Sequence, residues 1–278
     1  MGKKALLLGS IITLAVLSVG ALVINNFFKV KTTNVGCTGN CMGCNGCAKL
    51  NNISSMYYIS KKDDLIKSFE KNQKYFKKVL ISYYREPEIA NITKETRREF
   101  EKIIPEIPYI GGDRNLRTED LEQSAMALAF YKVQKKHGRT TDEIGNIIYK
   151  ATEAGLNSYP KWLLRLSGGK YFSKKFLALE RKNAKESQKR QYKGDWVTIF
   201  IPGDGENFDY GCDHKECGIV KFFHKQGADE LTPYMCKLDF LYSDALDGGL
   251  VRTSTIAGGG TVCDFRFKRG RKIIGFSN

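Results

Sequence analysis

Residues 1–60 contain no aspartate or glutamate, only five lysines among their charged side chains. The remaining charge is uneven. Residues 61–195 carry 30 basic and 19 acidic residues; residues 196–278 carry ten and eleven. The formal net charge of +15 therefore lies outside the C-terminal third, where the chemistry-bearing residues concentrate. No nucleic-acid-reading motif accompanies it, which argues against a nucleic-acid partner. No glycine-rich phosphate loop is present either: Gly203–Asn207 (GDGEN) is too short and reads as an acidic turn. The C-terminal half lacks any C-x2-C pair. Cys212, Cys217, Cys236 and Cys263 with His214 and His224 are suitable zinc ligand types, but their irregular spacing argues against a zinc site there. Hydrophobic residues at 42% and aromatics at 12% can fill a core, which excludes global disorder.

One long apolar run stands out. Ala5–Ile24 is twenty residues without a charge, enough to cross a hydrocarbon core of about 30 Å. Lys3 and Lys4 precede it, and Lys29 and Lys31 follow it. Ser18-Val19-Gly20 offers a small-residue cleavage site, so a signal peptide is the rival reading; the continuation of the run to Ile24 favours a retained single-pass anchor. Basic surface near the tether suits anionic lipid, and the domain is placed on the cytoplasmic face. Next comes C-x3-C-x2-C-x2-C: Cys37, Cys41, Cys44 and Cys47, interspersed with glycines. Four thiolates this close can hold zinc or an Fe–S cluster; adjacent disulfides are the alternative.

From residue 61 the apolar spacing is helical. Leu65, Ile66, Phe69, Tyr75, Phe76, Val79 and Leu80 mark the first helix, before Pro87. A second helix is expected over Lys94–Ile104, then a loop over Pro105–Arg117. Thr118 is expected to cap a third helix with Leu121, Ala125, Leu128, Ala129 and Val133 on one side, ended by Gly138. Thr140 and Glu143 fit a capping box. Helices around Pro160–Leu166 and over KKFLALERKNAKESQKRQ complete the layer. At Trp196 the pattern changes. WVTIFIP and FDYGCDH read as strands, Cys217–Gln226 as a helix, and Thr232-Pro233 as the capped start of another, running to Leu246. Val251–Ala257 and CDFRFK read as strands, the last at a sheet edge. The expected fold is α+β: a helical N-terminal layer followed by a small antiparallel sheet with helices on one side. The organisation is a 1–28 anchor, a 29–60 cysteine-rich linker, a 61–195 helical region and a 196–278 α+β module, with 61–278 one globular unit.

Cys236, Asp239, Phe240 and Ser243 recur at i, i+3, i+4, i+7 and share a helix face. A thiol and a carboxylate one turn apart can position substrate and move protons, and a thiolate can add to an electrophilic C=N carbon. In the last strand Cys263, Phe265 and Phe267 share one face; Asp264, Arg266 and Lys268 share the other.

Several pieces in order resemble the L-2-amino-thiazoline-4-carboxylic acid hydrolase family: Glu216-Cys217-Gly218, Gly227-Ala228, Pro233 with Cys236 and Asp239, Arg252 with Thr255, and Cys263-Asp264-Phe265. The resemblance is good over residues 195–270 and looser in the helical part. It implies a hydrolase acting on the C–N bonds of a cyclic amidine, opening a small sulfur-containing ring with water and no cofactor, with N-carbamoyl-cysteine as product for the named substrate. The roles expected are Asp239 as base or water positioner and Cys236 and Cys263 as catalytic thiols. Glu216, Cys217, Arg252, Thr255 and Asp264 bind substrate, Arg252 through the fork that suits a carboxylate. The alternative is a membrane-tethered redox or ligand-sensing protein with a metal in the cysteine cluster.

Overall fold

A computed structural model describes residues 56–272. A helical turn over 56–60 leads into α1 (Lys62–Leu80), which carries the expected apolar stripe inward through Leu65, Ile66, Phe69, Tyr75 and Leu80. Helix α2 (Glu86–Ile103) begins eight residues earlier than expected. Pro87 sits in its first turn, where a missing N–H costs nothing because the helix leaves that donor unpaired anyway. The Glu88 carboxylate accepts the Arg85 N–H at 2.9 Å and fixes the start.

Helix α3 (Thr118–Lys136) is the central column. Leu121, Ala125, Leu128, Ala129 and Val133 are buried, but so are Ala127, Phe130 and Tyr131 on its other sides. A helix apolar on all sides belongs inside a domain. Thr118 does not cap it; its hydroxyl donates to the Gly112 carbonyl at 2.7 Å, and the residue is already helical. Gly138, at φ +78°, ends it, with Arg139 N–H returning to the Gln134 carbonyl. The Thr140–Glu143 capping box opens α4 (Thr141–Leu156). Helices α5 (Lys161–Gly168) and α6 (Lys174–Ser187) follow.

The C-terminal part contributes β1 (Val197–Pro202), β2 (Tyr210–Glu216), α7 (Gly218–Lys225), α8 (Thr232–Ala245), β3 (Leu250–Val251) and β4 (Cys263–Phe267). The strands form one antiparallel sheet in the order β1-β2-β4-β3. The fold is α+β. Three details differ from expectation. Thr232 is the first helical residue of α8, not its cap. The strand expected over Val251–Ala257 is only Leu250–Val251; beyond Arg252, Asp264 takes the backbone N–H groups of Thr253 and Ser254 out of the ladder. Strand β4 lies inside the sheet, between β2 and β3.

Alternation along the strands puts Tyr210, Cys212 and His214 of β2 on the same face as Cys263, Phe265 and Phe267 of β4, paired residue by residue. That face meets the helices. A contiguous buried cluster runs from Tyr58 and the first helices through Trp196, Phe222, Phe223 and Leu238. Gly168 marks the tightest approach: a Cβ there would lie 1.7 Å from the Leu246 carbonyl oxygen. Replacing Gly168 with Ala must push the end of α5 off the end of α8, which costs about 3 kcal/mol. Denaturant unfolding is expected to report that loss.

No helix among the described residues is long and apolar enough to cross a membrane. The apolar run Ala5–Ile24 lies outside those residues. The expected single-pass membrane protein, its lipid-facing basic surface and its cytoplasmic-side placement are therefore not supported. Cys37, Cys41, Cys44 and Cys47 also lie outside the described residues. Among the described residues no group of three or more His, Cys, Asp or Glu side chains is placed to hold a metal ion. The expected metal-binding character and the metal-bearing sensor reading thus find no support.

Candidate active site

A cavity of about 770 Å³ opens between the inner face of the sheet and helices α1, α3, α4, α6 and α8. Its volume is right for a small molecule. Cys236 and Asp239 reach it from α8, Cys263 from β4, Cys217 from the residue before α7, and Arg252 from the end of β3. The helical spacing of Cys236 and Asp239 and the two-residue period of β4 aim these side chains at the same space.

Arg252 is 5% exposed and heavily committed. It donates to Asp239 Oδ2 at 2.5 Å and to the Cys236 carbonyl at 2.9 Å. Its guanidinium lies between the Phe240 and Phe265 rings, 4.8 and 4.9 Å from their centroids. Asp239 is surrounded by protein, yet 40% of its side chain is accessible; that surface opens into the cavity. Burial pushes its carboxyl above the ordinary carboxylate range, against the pull of Arg252. A carboxylate shifted in this direction binds a proton more readily than an exposed one.

The thiols are of the opposite character. Burial pushes Cys212 up to about 12 and Cys217 to about 11, the latter despite the amides at the start of α7. Cys236 is raised by burial and by the Asp239 charge, and Cys263 by burial, although its sulfur accepts the Ile256 N–H at 3.2 Å. These thiols are protonated at neutral pH, which disfavours a thiolate nucleophile. For the ring opening that the family resemblance implies, Cys236→Ser and Cys263→Ser are expected to keep rates within about tenfold of wild type, since no thiolate attack is lost; steady-state kinetics checks this.

Three expected substrate contacts lie elsewhere. Glu216 stands outside the cavity, ion-paired with Arg190 and with Lys221 (2.5 Å) in a surface recess. Thr255 accepts the Gly258 N–H at 3.0 Å and shapes the turn before β4. Asp264 points to the other face of the strand and holds the Thr253 and Ser254 amides at 2.9 and 2.6 Å.

The cavity also contains groups the sequence reading passed over. Arg117 and Asp120 open α3, and Glu180 reaches in from α6. Arg117 meets Glu180 at 3.4 Å and Asp120 at 3.6 Å. The i, i+3 spacing of Arg117 and Asp120 was the one available signal, and it is common on any helix. His214 is buried beside them, its Nδ1 2.8 Å from Thr198 Oγ1. Burial, then the charges of Arg117 and Arg252, hold it well below the ordinary histidine range, so the ring is neutral. Tyr171, Tyr210, Tyr242, Phe265 and Phe267 supply aromatic walls.

An aromatic-walled cavity bordered by buried arginines and carboxylates defines a small-molecule site. The model of the L-2-amino-thiazoline-4-carboxylic acid hydrolase family matches residues 119–267, more than half of the chain, and the chain belongs to that family. The matched segment begins in the first turn of α3 and ends on the last residue of β4, so it spans most of the cavity wall. Comparisons with curated proteins and with solved structures give no match.

Proposed function

We propose that this protein opens a small cyclic amidine of the 2-amino-thiazoline-4-carboxylate type with water, and that Asp239 is its general base. The observation that carries this reading is the Asp239 carboxylate. One of its oxygens is tied to Arg252, and the side chain is open to the cavity. A water held there loses its proton to Asp239 as its oxygen bonds to the ring carbon between sulfur and nitrogen. The tetrahedral carbon then expels the sulfur, which takes the proton back from Asp239. As the carbonyl forms, the new hydroxyl loses its proton. For a ring bound as the amidinium, one water is consumed and one proton released. Formation of N-carbamoyl-cysteine keeps both C–N bonds of that carbon and breaks its C–S bond, so the bond cleaved is not the C–N bond first expected.

Arg252 orients Asp239 and holds its charge. With two donors committed and both faces covered, it is a positioning residue in this reading and not the substrate's carboxylate anchor. The neutral thiols of Cys217, Cys236 and Cys263 shape the pocket. The test is incubation of the full chain with L-2-amino-thiazoline-4-carboxylate, following new thiol with a colorimetric disulfide reagent. Thiol appearing in step with ring loss is expected. An intact ring in the presence of folded protein overturns the reading, and ring loss without thiol overturns the C–S assignment.

A further inference from the structure

The charges around the sheet end of the cavity do not balance. Asp120, Glu180 and Asp239 face Arg117 and Arg252. His214 adds nothing, because its ring is neutral. At the α1 end, Lys61 meets Glu122 at 3.0 Å, and burial pushes Glu119 up to about 8, so it is uncharged at neutral pH. Lys67, Lys71 and Lys74 are exposed at the rim, in water. The interior therefore holds three carboxylates against two guanidiniums, one negative charge in excess. A desolvated excess charge is costly unless a ligand of opposite sign meets it.

Asp120 is the carboxylate least used by the protein. Its contact with Arg117 is long, at 3.6 Å, and Arg117 lies closer to Glu180. Asp120 is enclosed by protein, yet 40% of its side chain is accessible, again into the cavity. Burial pushes its carboxyl up to about 6, opposed by Arg117 and reinforced by the charges of Asp239 and Glu180. Asp120 and Asp239 both line the cavity, and the charge of Asp239 acts on Asp120. Tyr171 and Tyr242 line the same cavity and supply aromatic surface, which suits a flat cation.

We propose that Asp120 is the counter-ion for the amidinium of the bound ring, so that the cavity selects small planar amidinium-type cations over neutral rings of the same shape. This deepens the cyclic-amidine reading and rests on it for the identity of the substrate. The division of labour follows: Asp120 holds the cationic N–C–N edge, and Asp239 is left free to act on water. Pairing with Asp120 also keeps the ring protonated, which makes its central carbon more electrophilic.

Binding, not turnover, tests this. 2-Amino-2-imidazoline, a cyclic cation, and imidazolidin-2-one, its neutral isostere, are titrated into the full chain by calorimetry above the Asp120 titration range. Wild type is expected to bind the cation about thirtyfold more tightly, the worth of one charge-assisted pair. In Asp120→Asn the preference should fall below about threefold, because the remaining amide makes only a neutral hydrogen bond. Equal affinities in wild type overturn the proposal without any variant. A preference that survives in Asp120→Asn, or a variant that loses both ligands equally, overturns the assignment to Asp120. If the ring stays intact in the hydrolysis assay while the cation preference holds, the hydrolase reading falls and the cation site stands. Intact turnover without the preference gives the reverse.

Discussion

Asp239→Asn should lower kcat/KM for ring opening by a factor of about 10² to 10⁴, the usual worth of a positioned general base. The substitution keeps shape and an acceptor oxygen for Arg252 while removing the basic lone pair that takes the water proton. Arg252 is then left buried without its counter-charge, so a loss of roughly 1–3 kcal/mol of stability accompanies the kinetic effect. The two are separable. Thermal unfolding reads the stability loss, and kinetics well below the melting temperature read catalysis. Asn at this position with undiminished turnover would remove Asp239 from the chemistry.

The second large effect is expected at Arg252. Arg252→Met keeps an apolar body between the Phe240 and Phe265 rings but deletes the bonds to Asp239 and to the Cys236 carbonyl. Breaking a buried pair from one side costs roughly 3 kcal/mol. The catalytic consequence follows from the sign of the coupling. Burial raises the Asp239 pKa and Arg252 opposes the rise; without the cation the carboxyl moves further up. The base form then exists only at higher pH. Near neutrality kcat/KM should fall about a hundredfold, reflecting loss of a close counter-charge in a low-dielectric site. It should recover in part as pH rises, with the acid limb displaced upward. A limb that stays in place would mean that Arg252 does not set the ionisation of Asp239.

Much of the architecture was legible because it obeys local periodicity. The stripe Leu65–Leu80, the Gly138 stop, the Thr140–Glu143 box and the strand segments that became β1, β2 and β4 are single-segment signals, and the structure follows them. The misread boundaries have local causes too. Pro87 reads as a break but serves as a first-turn residue. Thr118 and Thr232 look like caps but are already helical. The short β3 was not legible, since the Asp264 carboxylate, eleven residues away from Thr253, ends it.

Spacing alone pointed to the site only where two cavity-lining residues share one element; Cys217, Arg252 and Cys263, on other elements, came from the family resemblance. Cys236 and Asp239 on α8 announce themselves by spacing. Arg117, Asp120 and Glu180 come from α3 and α6, and their convergence depends on how the helices pack over the sheet. Glu216, Thr255 and Asp264 belong to the recurring motifs, but their contacts hold backbone and surface charge in place. Motif membership did not distinguish side chains that line the cavity from those that build its frame. Nor could it reveal that the buried thiols stay protonated.

Water activation by the Asp239 carboxylate ties turnover to the ionisation of that one group. The most direct measurement is the pH dependence of kcat/KM for opening of the thiazoline ring, in wild type and in Asp239→Asn. Wild-type activity should rise through an acid limb above the ordinary carboxylate range and then level off, and that limb should be absent from the residual activity of the variant. A wild-type profile that instead climbs only through the thiol range, and persists in Asp239→Asn, would contradict water activation by Asp239 and move the chemistry to a cysteine.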